Sequence, residues 1–291
     1  MPTPIETGVT REDLQRRVDE VPWYHEFVFP DGVISRPAGP GLKWHRRNWA
    51  FIESQLSRIE FTGKSVLDVG CWDGYWSFYA ERRGAARVLA TDDASQNWAG
   101  SAGLLLAREL LGSAIDTRLD VSAYHLDVLE ETFDIILFFG VYYHLFDPLH
   151  AFVQLRHRCH PDSLVLVEGD TSTALRRHRV YLNHSEPGKS VFIPRPDDLR
   201  RMLGSVYLHV VEQASMLPRP LLTWREYARR ARSIVQPGFR SLPNSLNRTF
   251  TVCAPFQGTS PYPHYRPPFG LYRYDTRFAG TSEADTESAT S

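Results

Sequence analysis

Short apolar runs separated by longer amphipathic segments dominate the middle of the chain. Four of these runs have the β-rich, apolar composition of buried strands: residues 65–69, 87–91, 133–139 and 164–168. A weaker run at 115–119 continues the series. Segments of helical period lie between them, at about 75–83, 96–111 and 148–158. Strands that alternate with helices of 10–15 residues predict parallel βαβ units in an α/β fold.

The regular alternation stops on both sides of this core. Before it, the pattern predicts a loose or helical arm (1–20), a short aromatic hairpin (21–35) around Pro30-Asp31-Gly32, and a helix (42–59). After it, a polar stretch without a period (171–190) precedes a short extended piece (191–194), a helix (196–203) and two strands (206–213 and 248–254).

The predicted domain organisation follows from these changes of pattern. An N-terminal arm and cap covers residues 1–60, and one α/β domain covers 61–255. An insertion at about 217–246 holds a predicted helix at about 224–235. Residues 256–291 form an extension that is first rich in Pro and aromatic residues; from about 281 it is rich in Ser, Thr, Ala and Glu and is expected to be disordered.

Composition argues against a membrane-spanning protein and against a metal site. The chain has 291 residues, of which 42% are hydrophobic, but it has no apolar run of about 18 residues and no apolar N-terminal leader. Three cysteines without metal-ligand spacing favour a reducing, cytoplasmic setting. His150 and His157 share a helical face but are about 10.5 Å apart along the axis, so no metal site is predicted.

Charge is unevenly distributed along the chain. The net charge of −1 does not favour nucleic-acid binding by itself. Residues 171–250, however, carry 14 Lys and Arg against 5 Asp and Glu, a surplus of nine positive charges. Two interpretations stay open: a surface for phosphates or an acidic substrate, or an arginine-rich solvated helix.

The stretch from Lys64 to Trp76 predicts a ligand site. A buried strand stops at Gly70, a tight loop follows, and a helix begins near Tyr75. Gly70 and Gly74 permit positive φ and close approach of a ligand, and the helix start offers N–H groups to an anion. Asp92 ends the next strand, 22 residues after Gly70, where doubly wound folds place a carboxylate on a ribose.

Two motifs carry a family resemblance. The pattern Asp68-x-Gly70-x-x-x-Gly74 resembles motif I of class I S-adenosylmethionine (SAM) methyltransferases. Gly140-Val-Tyr-Tyr-His, followed by Pro148, is similar to the Gly-Val-x-Tyr-His-x-x-x-Pro signature of the branch that includes the tRNA wobble-uridine carboxymethyltransferase. The resemblance covers about residues 21–255. It implies a Rossmann-like fold, with a mostly parallel seven-stranded sheet and helices on both faces, and SAM as cofactor.

The resemblance also implies which residues contact the cofactor. The methionine end would lie at the loop, and Asp92 would hold the ribose with Asp93 beside it. Val121 and Ser122 would lie near the adenine, and Lys43 and Phe139 near the reactive end. The implied loop residues are Asp68, Gly70, Cys71, Trp72 and Gly74.

Tyr143 and Arg248 are implied to face the reactive end of the cofactor, and we predict that they bind the substrate. Trp44 is a further substrate-binding candidate, because Lys43 and Trp44 could cover the cofactor or line the substrate entrance. The alternative is that Trp44 belongs to the core and Lys43 to the surface.

The chain departs from the family pattern in two places. Trp72 stands where many class I enzymes have glycine. The carboxymethyl-transferring enzyme has an N-terminal lysine, for which only His25 or Glu26 lies nearby here. Since the extra carboxylate of carboxy-SAM needs cationic partners, ordinary SAM is the expected donor. Lys43 and Arg248 would then be left to bind substrate.

The candidate catalytic residues are Tyr143 and His144. They follow a strand at its C-terminal end, where open α/β sheets bind ligands. His144 is the candidate general base, because an unperturbed imidazole titrates near pH ~6.5. The alternative is that His144 caps the following helix or forms a hydrogen bond within the turn.

The sequence therefore predicts methyl transfer to an oxygen of a small molecule. Two alternatives stay open: a tRNA-modifying enzyme of the wobble-uridine type, and a non-catalytic SAM-binding protein.

Overall fold

A computed structural model of the protein describes residues 10–37, 41–97, 99–172, 180–182, 191–216, 228 and 246–256. The predicted helix at 224–235 (Ala228 apart), nearly all of the arginine-rich insertion and the extension after Phe256 lie outside the described residues. The chain divides into two compact units, Met1–Leu137 and Phe138–Ser291.

The first unit is built around three parallel strand pairings. Strand β1 pairs with β2 on one side and β4 on the other, and β2 pairs with β3. Val66, Leu67 and Val69 of β1 are fully buried, as expected of a central strand. The elements are α1 (Arg11–Asp19), α2 (Leu42–Leu56), β1 (Ser65–Val69), α3 (Tyr75–Arg82), β2 (Arg87–Thr91), α4 (Ala102–Leu111), β3 (Asp116–Arg118) and β4 (Phe133–Phe139), whose last two residues belong to the second unit.

The predicted aromatic hairpin is present, but it is shorter than expected. Pro30–Gly32 forms a 3₁₀ turn, and a single antiparallel bridge joins Val28 to Ile34. Phe29 N–H donates to the carbonyl of Val33 at 2.8 Å. Trp23, Phe27 and Phe29 are buried, so the segment contributes an aromatic core to the first unit.

The second unit is dominated by antiparallel pairing. Strand β9 lies between β5 and β8 and is antiparallel to both, while β6 and β7 form a separate two-stranded sheet. The elements are α5 (Pro148–His157), β5 (Cys159–Ser172), β6 (Val180–Leu182), β7 (Phe192–Pro194), α6 (Pro196–Ser205), β8 (Leu208–Ser215) and β9 (Leu246–Pro255). A 3₁₀ turn, Tyr142–His144, precedes α5.

Seven strands form one sheet in the order β3-β2-β1-β4-β5-β9-β8. The predicted α/β fold with a mostly parallel seven-stranded sheet is therefore confirmed. Among the described helices, none has both the length and the apolarity needed to cross a membrane.

Two predicted boundaries are wrong. The strand expected at 164–168 begins at Cys159, so the predicted turn at 159–163 is extended chain; Ser163 Oγ accepts the N–H of His160 within it. Helix α4 begins at Ala102 rather than near residue 96. Side chains hold the preceding turn instead: Ser95 N–H donates to Asp93, and Asn97 Nδ2 donates to Asp92.

All three cysteines are buried free thiols. Cys71 belongs to the first unit, and Cys159 and Cys253 belong to the second.

Candidate functional site

The loop between β1 and α3, residues 70–74, is here called the glycine loop. Gly70 and Gly74 have φ of +73° and +77°, as predicted. The N–H groups of Gly70 and Cys71 donate to the carbonyl of Thr91 at 2.8 and 3.0 Å, which ties the loop to the end of β2. A Cβ on Gly74 would lie 2.3 Å from Leu104 Cδ1, so only glycine fits there.

Trp72 also adopts a left-handed conformation, with φ of +53°. A bulky residue in this region costs on the order of 1–3 kcal/mol and persists only where its surroundings hold it. Glycine adopts this conformation without that cost, and glycine is the residue that the family resemblance leads one to expect at this position. With Trp72 there instead, residues around the loop must maintain its shape.

Asp68 lies beneath the loop and is almost fully buried. Burial raises the pKa of Asp68 to about 7, although the hydrogen bond from Ser77 Oγ at 2.6 Å opposes the rise. The nearby carboxylates of Asp92 and Asp73 raise the pKa further. A cationic group bound beside Asp68 would therefore favour its ionised form.

Asp92 follows β2, where the sequence predicts a ribose ligand. Its Oδ1 accepts the N–H of Asp93 at 2.9 Å, and its Oδ2 accepts from Asn97 Nδ2 at 3.0 Å. Burial raises the pKa of Asp92, and these hydrogen bonds partly offset it. Val121, which is buried, donates its N–H to the carbonyl of Asp92 at 3.1 Å, so Val121 lies next to Asp92. That Val121 and Ser122 lie near the adenine stays a prediction.

His25 and Glu26, which lie near the position of the absent lysine, each pair with another side chain of this protein. His25 Nδ1 lies 2.7 Å from Asp73 Oδ1 in a buried pair, and Glu26 forms a bidentate pair with Arg46 at 2.6 and 2.7 Å. The His25–Asp73 pair was not predicted, because the two residues are 48 positions apart and no local signal in the sequence connects them.

Lys43 and Trp44 lie in the first turn of α2. Lys43 is exposed and Trp44 is half-buried. Their roles at the cofactor or the substrate stay predictions.

In the second unit, Arg248 is the centre of a buried polar cluster. Its Nε and Nη2 donate to the two oxygens of Glu168 at 2.6 Å each, and its Nη1 donates to Asp170 and to the hydroxyl of Tyr143 at 2.9 Å each. The register of β5 and β9 places Arg248 directly opposite Asp170. Burial raises the pKa of Glu168, and Arg248 counteracts the rise.

Two carboxylates therefore share one guanidinium in this cluster. The predicted contact of Arg248 with substrate stays a prediction, and the structure gives Arg248 a further role in holding the phenol of Tyr143. Glu168 and Asp170 were not predicted. Their signal in the sequence is an acidic residue that ends an otherwise apolar strand, which requires a buried cation.

Gly169 lies between these carboxylates and packs against two tyrosines. A Cβ there would lie 2.4 Å from Tyr142 Cε1 and 2.7 Å from Tyr143 Cδ1. Tyr142 donates its hydroxyl to the carbonyl of Asp170 at 2.5 Å. The absence of a side chain at residue 169 thus allows both rings to pack on β5.

His144 is exposed, and its ring centroid lies 4.3 Å from that of Tyr143. Asp147 caps α5 by accepting the N–H of His150 at 3.0 Å, so His144 is not the capping residue. The backbone N–H of His144 does form a hydrogen bond within the turn, to the carbonyl of Val141 at 2.9 Å. The role of His144 as a base stays a prediction. Phe139, at the end of β4, is buried with its ring 5.5 Å from that of Phe250.

Comparisons with known proteins identify the family of this chain. Residues 43–213 match the model of a family described as a methyltransferase domain. The tRNA U34 carboxymethyltransferase of Pseudomonas aeruginosa (strain LESB58) is 33% identical over 135 residues, which are 45% of this chain and 41% of that protein. The Shewanella amazonensis protein of the same name is 34% identical over 136 residues, covering 44% of this chain and 38% of its own. The chain thus spans less than half the length of these curated relatives.

Solved structures share the fold. The [4+2]-cyclase SpnF aligns with a TM-score of 0.55 at 12% identity, covering 85% of this chain and 93% of its own. The N-terminal domain of EvdMO1 with S-adenosylhomocysteine (SAH) bound aligns with a TM-score of 0.55 at 16% identity, covering 87% of this chain and 100% of its own. A fold that is shared with a cyclase does not by itself define the reaction.

Proposed function

The chain belongs to the methyltransferase-domain family, and we propose that it transfers a methyl group from SAM to an oxygen atom of a small-molecule acceptor. The observation that carries the cofactor assignment is the glycine loop between β1 and α3, with Asp92 at the end of β2. This is the arrangement in which doubly wound folds hold a nucleoside.

The residues present fit SAM. When bound, SAM supplies an electrophilic methyl group on a sulfonium. The glycine loop and the start of α3 would bind the carboxylate of its methionine end through backbone N–H groups. Asp68, whose pKa is about 7, would accept a cationic amino group, and Asp92 would accept hydrogen bonds from ribose hydroxyls.

Ordinary SAM is the donor in this proposal, rather than carboxy-SAM. The extra carboxylate of carboxy-SAM needs a cationic partner. His25 is engaged by Asp73, and Arg46 is engaged by Glu26, which supports ordinary SAM. Mass spectrometry of the cofactor that copurifies with the protein tests this choice, and recovery of mainly carboxy-SAM would contradict it.

Catalysis on a hydroxyl acceptor requires alignment and removal of one proton. The acceptor oxygen must lose its hydrogen as its bond to carbon forms. We assign that proton to an imidazole nitrogen of His144, with Tyr143 lining the acceptor site. The exposure of His144 and its contact with the ring of Tyr143 support this assignment.

A tRNA acceptor is the second candidate. The curated relatives are named as tRNA U34 carboxymethyltransferases, and the positive surplus of residues 171–250 is compatible with a polyanion. Electrostatic binding to tRNA would weaken steeply as salt is raised.

One experiment separates the two acceptors. The protein is incubated with methyl-labelled SAM and either a small-metabolite extract or total tRNA from the same cells. Label in low-mass compounds, at an oxygen atom, is expected. Label that appears only in ribonuclease-sensitive material would instead support the tRNA candidate.

A further inference from the structure

Asp73, inside the glycine loop, is held by the N-terminal segment. Its Oδ2 accepts the N–H groups of Tyr24 and His25 at 3.1 and 2.8 Å, and its Oδ1 lies 2.7 Å from His25 Nδ1. Since a carboxylate only accepts hydrogen bonds, Nδ1 carries the hydrogen of this contact. Asp73 and His25 are only 1% and 4% exposed, so water does not compete for these bonds.

Aromatic rings reinforce the same connection on both sides of Asp73. Tyr24 stacks on Trp72, with ring centroids 4.9 Å apart, and His25 stacks on Tyr75 at 4.7 Å. The two residues that bond Asp73 through their backbone therefore also pack against the residue before it and the second residue after it. The N-terminal segment thus holds the glycine loop from Trp72 to the start of α3.

We propose that Asp73 and His25 are positioning residues for cofactor binding, which lock the glycine loop in the conformation that receives the cofactor. This inference rests on the proposed function, in which the loop is the cofactor site. The left-handed Trp72 explains why a lock is needed: without external contacts, such a residue relaxes to a more favourable conformation. The loop would then lose the backbone arrangement at the start of α3.

The test compares variants of the pair in the full chain. His25→Leu and Asp73→Asn disrupt the side-chain contact, whereas His25→Asn keeps an amide donor near the position of Nδ1. Calorimetry with SAH measures affinity, and hydrogen exchange measures protection of the loop amides. We expect about tenfold weaker binding and faster loop exchange in the disruptive variants, with a smaller loss in His25→Asn. The double variant should bind no more weakly than Asp73→Asn alone.

Glu26→Gln is the matched control. It disrupts the neighbouring pair with Arg46 without touching the loop, so SAH affinity should stay unchanged. Wild-type protein without measurable SAH affinity would contradict the proposed function itself. Wild-type protein that binds SAH, with disruptive variants that bind equally well and differ only in melting temperature, would overturn the positioning role alone. If Asp73→Asn does not fold, the two His25 variants decide between these outcomes.

Discussion

Arg248 and Glu168 lie on neighbouring antiparallel strands and form a buried bidentate ion pair, with both hydrogen bonds 2.6 Å long. Their side chains are 7% and 0% exposed. Removing one member of such a pair leaves the other charge buried without its partner, which is far more costly than losing a surface pair. The stability of the second unit is therefore expected to depend on this pair.

Glu168→Gln is expected to lower the free energy of unfolding by about 1.5–3 kcal/mol, because Arg248 would lose the carboxylate that accepts two of its hydrogen bonds, while Asp170 still compensates its charge. Urea denaturation measures the change. Glu26→Gln, which removes a partly exposed pair with Arg46, is the control and should cost less than about 1 kcal/mol. A Glu168→Gln protein as stable as the control would show that the pair contributes little.

Gly169→Ala is expected to destabilise the protein by about 1–3 kcal/mol, because the added methyl group would overlap both tyrosine rings. The control is Gly204→Ala in α6, where a Cβ would meet nothing within 4 Å. That change should be neutral or slightly stabilising, since alanine has the higher helix propensity. Thermal and urea unfolding of both variants check this, and equal stabilities would disprove the steric explanation.

The buried carboxyl of Asp68 is expected to make stability depend on pH. Its folded pKa, raised to about 7, lies above its unfolded value, so the folded state holds this proton more tightly. Stability from this group is therefore highest at low pH and decreases as pH rises towards and through 7. Between pH 5 and 8 the loss should be about 2–3 kcal/mol. Asp68→Asn should remove this component from a series of urea titrations, and an unchanged pH profile would contradict the raised pKa.

Asp92→Ala is expected to weaken SAH binding by about 1–3 kcal/mol, through lost hydrogen bonds to the ribose. Calorimetry provides the measurement. Asp120→Ala removes an exposed carboxylate at the end of β3, which pairs with Arg118, and should leave affinity unchanged. If Asp92→Ala binds as tightly as wild type, the ribose assignment must be dropped.

His144→Ala is expected to reduce turnover by about ten- to ten-thousand-fold if the acceptor is a hydroxyl, with little effect on cofactor affinity. Tyr143→Phe should instead loosen ligand placement, with a smaller effect on rate. His209→Ala, another exposed histidine, is the control. The pH profile of single-turnover methyl transfer is the decisive measurement. An ionisation near neutrality that persists in His144→Ala would show that another group is the base.

The strands and the glycine loop were predicted correctly because their signals lie within short stretches of sequence. Strands β1, β2 and β4 are apolar runs with clear ends, and their predicted bounds match the structure. Gly70 and Gly74 were predicted to permit positive φ in the loop between strand and helix, and both adopt it. The extra length of β5 was missed because Pro161, Asp162 and Ser163 usually signal a turn, whereas here they lie in extended chain.

The side-chain contacts that were not predicted join residues that lie far apart along the chain. His25 and Asp73 are 48 residues apart, and Glu168 and Arg248 are 80 residues apart. No local period connects either pair. Glu168 alone indicates a buried cation, because it ends an apolar strand, but nothing local identifies Arg248 as that cation. Only the register of β5 and β9, and the packing of the N-terminal segment on the loop, bring these groups together.

Because each unit contains at least one buried thiol, local opening of each unit can be measured separately, without an engineered label. A thiol-specific reagent can modify Cys71 only when the first unit opens, and Cys159 or Cys253 only when the second does. When closing is faster than alkylation, each modification rate reports the free energy of that local opening. Peptide mapping of the alkylated protein would then give two opening energies from one sample. Repeating it with SAH present would show which unit the ligand holds closed.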